Sequence, residues 1–233
     1  MRPFTGIALA LGALALVGCA QSPRLEGSAT DLVPEVSAAP LLPGSGPARG
    51  DEPPARPRSP NAPLGDGDRR TLLHVSQQEK LARDFYSSLS ETWRLDVFHT
   101  TSGSEDIHAD ALRTLLGRYK LPDPAYGLAR GEFNRVDLTE RYDDLIARGR
   151  FSAVEALKAA ASVEELEIED ISERLPRVQS PELSNVLESV VASDKHHLRS
   201  LVVALRRLGH TYSPTRLPRE QFDLILGEQA LNR

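Results

Sequence analysis

From Leu72 onward, apolar residues recur at intervals of three and four. Leu72, Val75, Ala82, Tyr86 and Leu89 share a stripe with one acid, Glu79, and the spacing predicts a helix over about Arg70 to Glu91. A second helix is expected from Gly103 or Ser104, carrying Glu105, His108, Leu112 and Leu115 on one face. Gly117 and Pro122-Asp123-Pro124 close it. Tyr126 to Arg135 reads as irregular, with Gly127, Gly131 and Asn134 as breakers, and a short helix follows over about Leu138 to Ala147. Ser152 can cap a third long helix, with Glu155 three residues on; its stripe is Leu157, Ala161, Glu164, Ile168, Ile171 and Leu175, and Pro176 stops it. In the acid run from Glu164 to Asp170, a turn of 100° per residue puts Glu164 and Glu167 on the core side and Glu165, Glu169 and Asp170 toward solvent. Ser180-Pro181 opens a fourth long helix whose stripe is Leu183, Val186, Val190, Asp194, His197, Leu201 and Leu205, ending near Gly209, with His196 facing out. A last amphipathic piece runs over about Glu220 to Leu231. The pattern therefore predicts an all-α domain over residues 69–233. It has four long helices, a long connection between the second and third, and a short C-terminal helix.

The first 68 residues follow another pattern. One positive charge, Arg2, precedes the apolar run Ile7 to Val17, too short for a bilayer span of about 20 residues and of the length of a signal-peptide core. The run ends Leu16-Val17-Gly18-Cys19, which resembles the lipobox of bacterial lipoproteins. That resemblance implies a signal over 1–18 cleaved before Cys19, lipidation of its thiol, and a membrane anchor. Ala20 after the cysteine resembles the pattern sorted to the outer membrane of a Gram-negative cell, facing the periplasm. Cys19 is the only cysteine, so the chain has no internal disulfide. Residues 20–68 hold ten of the seventeen prolines with no helical period, and 19–68 is expected to be an extended, solvated tether.

Composition narrows the function classes. A net charge of −5 gives no basic footprint for nucleic acid. Aromatic residues are few, at 5%, and the abundance of Ala, Leu, Glu and Arg favours helix over sheet.

The chemistry lies in the polar residues set on apolar stripes. In chain order the four long helices contribute Glu79; Glu105-x-x-His108; Glu164-x-x-Glu167; and Asp194-x-x-His197. Residues three apart share a helix face, so each pair can address one centre. A buried carboxylate costs several kcal/mol unless paired or metal-bound, so inward acids need cations. Two divalent ions would account for all of them; pairing with Arg83, Arg113 or Arg199 is the alternative. Carboxylates mixed with imidazoles suit iron or manganese, with zinc competing by affinity.

The segments Glu79-Lys80-Leu81-Ala82-Arg83-Asp84-Phe85-Tyr86, Ser104-Glu105-Asp106-Ile107-His108-Ala109, Tyr119-Lys120-Leu121-Pro122-Asp123-Pro124, Val163-Glu164-Glu165 and His197-Leu198-Arg199 resemble the DUF2202 family of bacterial and archaeal proteins, over about Leu72 to Leu208. Glu79 with Tyr86, and Glu105-x-x-His108-Ala109, also resemble the first two helices of rubrerythrin, a di-iron peroxidase. The resemblance implies a ferritin-like four-helix bundle whose long crossover joins helices two and three. It makes Glu79 a terminal ligand, Glu105 a bridging ligand with His108 beside it, Glu164 the counterpart in the second half, and His197 the second histidine. Asp194 departs from the pattern, since full sites carry Glu there; Glu167 could compensate. Tyr86 would stand behind the ligands as a hydrogen-bond donor or radical quencher. The implied activity is ferroxidase or peroxide-consuming turnover at an iron pair. With no cysteine pairs of the rubredoxin type, electrons would come from an outside donor or from Fe(II) itself. A non-enzymatic bundle that binds metal or a protein partner is the competing expectation, and a homodimer is compatible with either.

Overall fold

The structure is a computed structural model, and it describes residues 63–227. The signal, Cys19 and most of the tether lie outside the described residues. Six α-helices and one 3₁₀ turn make up the regular structure, without a strand among the described residues: α1 (Asp66–Trp93), α2 (Asp96–Arg118), α3 (Val136–Phe151), α4 (Ala153–Arg174), the turn Leu175–Arg177, α5 (Pro181–Arg207) and α6 (Arg219–Leu226). No helix among them is long and apolar enough to cross a membrane.

The four long helices pack in a closed ring, α1 against α2, α2 against α5, α5 against α4, and α4 against α1, while α3 lies across α1 and α4. α1 passes to α2 through Arg94 and Leu95 alone. Arg94 takes the left-handed conformation (φ 48°) and its N–H closes on Ser90 O at 3.3 Å, so the helix stops without a glycine. Ser152 caps α4 by accepting from Glu155 N at 3.1 Å, and Ser180 caps α5 by accepting from Leu183 N at 3.4 Å. Both caps stand where the sequence placed them.

α2 begins at Asp96, two turns before the expected Gly103. The added turns are held by tertiary burial: Phe98 and Thr101, three apart, are both buried. That packing overrides the low helix propensity of Val97, Thr100, Thr101 and Gly103. α3 is longer than expected because it docks closely. A Cβ at Gly149 would lie 2.8 Å from the Leu89 side chain, and Trp93 Nε1 donates to Gly149 O at 2.7 Å. α6 starts one residue before the expected Glu220, and the residues after 227 lie outside the description.

The buried apolar residues fall into two clusters rather than one. One gathers Leu81, Phe85, Leu89, Phe98, Leu157, Leu198 and Leu201; the other gathers Leu72, Val75, Leu112, Leu115, Ile171, Leu187 and Val190. Along α1, α2 and α5 the break between the clusters falls at the inward polar residues, and along α4 it falls just after them, between Ile168 and Ile171. A polar layer crosses the middle of the helical ring, walled by apolar side chains on both sides.

Candidate metal centre

Eight acidic side chains are buried among the described residues: Asp68, Glu79, Asp84, Glu105, Glu164, Glu165, Glu167 and Asp194. They divide by what they touch. Asp68 accepts from Gln179 N at 3.0 Å and Ser180 N at 2.8 Å, fastening the turn before α5 to α1. Asp84 pairs with Lys80, accepts from Arg83 at 3.0 Å and from Gly131 N at 3.0 Å, and so anchors the loop before α3. Glu165 accepts from Tyr212 Oη at 2.5 Å, Thr215 N at 3.0 Å, Arg216 N at 2.8 Å and Leu217 N at 2.9 Å. Glu165 is therefore not on the solvent side, as the helical wheel placed it, but sealed under the segment that leads to α6. Asp170 is half-buried and bonded to His74 and Arg174, and Glu169 pairs with Arg216. These acids are structural, each neutralised or saturated with N–H donors.

The other five are not. Eight buried side-chain N or O atoms lack a hydrogen-bond partner among the described residues: both oxygens of Glu79 and of Asp194, one oxygen each of Glu105, Glu164 and Glu167, and His197 Nδ1. All lie in the polar layer, and ordinary folds leave few such groups. The arginines offered as alternative partners are engaged elsewhere, Arg83 with Asp84, Arg113 with Asp110 and Asp123, and Arg199 with Ile225 O.

Two groups of donor atoms converge in this layer. Glu79, Glu105 and His108 form one; Glu105, Glu164, Asp194 and His197 form the other, and within each group one ligand atom per residue lies within 4.8 Å of every other. Glu105 belongs to both. Its Oε2 is 3.1 Å from His108 Nδ1 and its Oε1 is 3.2 Å from His197 Nδ1. His108 Nδ1 is also 3.3 Å from Glu79 Oε2, and His197 Nδ1 is 3.4 Å from Glu164 Oε2. Ligand bonds of about 2.1 Å at right angles around one ion set neighbouring donor atoms about 3 Å apart, so this spacing fits an ion's edge. His197 Nδ1 approaches two carboxylates yet makes a hydrogen bond to neither, as expected when the atoms aim at a common point instead of at each other. Asp194, despite its missing methylene, joins the second group but not the first. Glu167 is buried with Oε2 unpaired and lies outside both.

The electrostatics of the layer are unbalanced. Burial, and the Glu105 charge beside it, push Glu79 up to about 8 against the relief given by His108. Burial followed by neighbouring acids raises Glu167 and Asp194 well above the carboxylate range, and burial raises Glu164. Glu105 is the exception: burial opposes its charge, but contact with His108 and His197 holds it down at about 2. Burial likewise opposes charge on the two imidazoles, yet their carboxylate contacts lift both to about 10. Five carboxylates against two imidazolium ions leave three negative charges uncompensated, so without added cations the layer is neutral only if three carboxyls keep their protons. Two divalent ions with neutral imidazoles bring the ionised layer to within one charge of neutrality. The donor set fits a pair of such ions.

Groups behind the donors complete the arrangement. Tyr86 Oη donates to Glu164 Oε1 and also contacts Ala160 O at 3.3 Å; burial, then the Glu164 charge, raises its pKa well above the phenol range. Ser193 Oγ lies 3.2 Å from His197 Nε2 and 3.1 Å from Ser104 Oγ, tying α5 to α2. An acceptor for the far N–H of a ligating histidine sets which nitrogen faces the ion, and the Ser193 hydroxyl can take that proton from Nε2. Sequence reasoning missed Ser193; the sole signal is its spacing, four before His197 on one helix face.

The model of the DUF2202 family, described as an uncharacterized protein domain, matches residues 68–229, and the chain belongs to that family. The uncharacterized protein MJ0754 of Methanocaldococcus jannaschii is 31% identical over 177 residues, covering 75% of this chain and 96% of that protein. The crystal structure of the hypothetical protein MJ0754 resembles this one with a TM-score of 0.69, over 71% of this chain and 95% of that chain.

Proposed function

We propose that this chain is a ferritin-like four-helix bundle that holds two divalent ions, iron foremost, and turns over Fe(II) with dioxygen or peroxide. One observation carries the reading: every unpaired buried side-chain N or O atom among the described residues belongs to one layer of acids and imidazole. The order Glu, Glu-x-x-His, Glu, Asp-x-x-His on four helices, with the long connection after the second, supports the ferritin-like assignment.

Glu79, Glu105 and His108 would hold one ion; Glu105, Glu164, Asp194 and His197 would hold the other. Bound iron supplies one-electron steps between Fe(II) and Fe(III), with dioxygen or peroxide as the acceptor. The chain's own part is positional. Glu105 ties the two positions together. Tyr86 holds Glu164 Oε1, leaving Oε2 facing the layer. The apolar clusters on both sides keep bulk water out and strengthen every charge interaction within. Manganese fits the same donors, and zinc competes by affinity. Cys19, as a lipidated residue after a cleaved signal, would anchor the domain at the outer membrane on the periplasmic side through the proline-rich tether.

A second reading has its own support. His108 and His197 are each under one-tenth exposed and the carboxylates are buried, as in closed structural sites. That reading makes the chain a metal-storing or metal-stabilised bundle without turnover. Metal content after growth in iron-rich medium, followed by Fe(II) oxidation by the wild type and Glu105→Ala, separates the two. Refusal of iron, manganese and zinc at micromolar concentration sinks both. Two bound irons with neither Fe(II) oxidation nor peroxide consumption leave the second.

A further inference from the structure

Beside the polar layer, on its α2–α5 side, lies a cleft of about 540 Å³. It is framed by the first turns of α2, by Leu157 of α4, and by α5 from His196 to its end with Leu208 just beyond. Among the candidate ligands, His197 alone borders it. The volume far exceeds what dioxygen or peroxide needs and falls in the range of cavities that hold organic molecules.

Its walls state the chemistry of an occupant. Leu157, Val97, Val203 and Ala204 give an apolar surface, and Val203, near the C-terminal end of α5, is 42% exposed on it. On α5 the residues Arg199, Val203 and Arg207 stand four apart, so one face sets an apolar side chain between two guanidinium groups. Arg199 is held by Ile225 O at 3.1 Å, which orders one of the two. The single carboxylate in the lining, Asp96, sits across the cleft on α2. In a chain of net charge −5, this is a local reversal of sign over an apolar floor.

We propose that the cleft binds an organic anion with an apolar body, its acidic group on Arg199 and Arg207 and its body on Val203 and Leu157, in contact with His197. The inference rests on the metal reading only for its significance: it gives a co-reactant of the metal layer a seat beside a ligand. The seat itself exists with or without metal.

Anilinonaphthalene sulfonate, an aromatic body with one sulfonate, is the probe. Titrated into the metal-free full chain, it is expected to bind saturably at one site, and at least tenfold more weakly to Val203→Glu and to Arg207→Glu. Both positions are exposed, so both variants should keep the wild-type circular dichroism and melting temperature. No saturable binding to the wild type, or equal binding by both variants, overturns the proposal. In the cobalt-loaded chain, the probe should shift the visible Co(II) absorption in the wild type and not in Arg207→Glu at the same concentration; an unshifted spectrum at saturating probe overturns the contact with His197. A chain that takes no cobalt contradicts the metal reading, and the metal-free titration still decides the cleft.

Discussion

Metal uptake should release protons in a number set by the geometry of the layer. Without metal at pH 7, both imidazoles carry a proton, since their carboxylate contacts lift them to about 10, and Glu79 holds one because burial pushes it up to about 8. Ions must displace these protons to reach the donor atoms. Loading therefore releases about three protons at pH 7, and Asp194, which burial raises well above the carboxylate range, adds to that number. Affinity for the ion pair should climb about a thousandfold per pH unit below pH 8, since each proton displaced contributes a factor of ten. Above about 8 Glu79 no longer contributes, and above about 10 the imidazoles stop contributing. The metal-free fold runs the other way. Groups whose folded pKa is raised, Glu79 from 4.5 to about 8 and the imidazoles from 6.5 to about 10, stabilise it at low pH and lose that contribution as pH rises through the folded values. Glu105, depressed to about 2, contributes above 4.5 and loses its share only as pH falls toward 2. Melting temperature without metal should accordingly fall between pH 5 and 10, while the increment from Co(II) should grow. Calorimetric titration with Co(II) in buffers of different ionisation enthalpy counts the protons. Release of fewer than one proton at pH 7 would refute the reasoning, because an open cluster of ordinary carboxylates would then account for the binding.

Other substitutions test single contacts. Ser193→Ala removes the partner of His197 Nε2 and should weaken metal binding by about tenfold to a hundredfold at the second position only, with Ser193→Thr restoring it; titrations that resolve the two ions check this. Glu165→Ala strips the acceptor from the backbone N–H groups of residues 215–217 and should cost about 3 kcal/mol in urea unfolding while leaving the metal count at that of the wild type.

The sequence carried the inward acids because the helical period is a local property. Glu79, Glu105, Glu164 and Asp194 fall on stripes that also hold leucine and valine, and no long-range knowledge is needed to see it. The turn of Glu165 toward protein was invisible for the opposite reason. Its partners are 47 to 52 residues away, in a segment that folds back over α4 and covers a face the wheel assigns to water. The early start of α2 was hidden because Val97, Thr100, Thr101 and Gly103 are poor helix formers whose turns are held by the burial of Phe98 and Thr101. The cleft beside His197 arises where helices meet, and no single helix announces it; Ser193 shows on its own helix only as a spacing of four from His197.

Asp194 decides how open the centre is. Glu105 reaches both groups of donor atoms, whereas Asp194 reaches one, so the layer has a single carboxylate shared between the two positions. On the proposed reading the first ion would have three protein donors, which would leave coordination free for a reactant; catalytic sites keep such a position and structural ones close it. Asp194→Glu adds the methylene that would carry a carboxylate toward Glu79 and His108. Asp194 is fully buried, so the extra volume should cost about 1–3 kcal/mol of stability in the metal-free chain. With metal, the variant should bind the first ion more tightly and oxidise Fe(II) more slowly, because the added carboxylate fills the free coordination. Binding titrations and oxidation rates on one preparation test the pair of effects together. Tighter binding with a faster reaction would mean that the free position is not where reactants meet the ions, and would move the reactive side of the layer to the His197 position that faces the cleft.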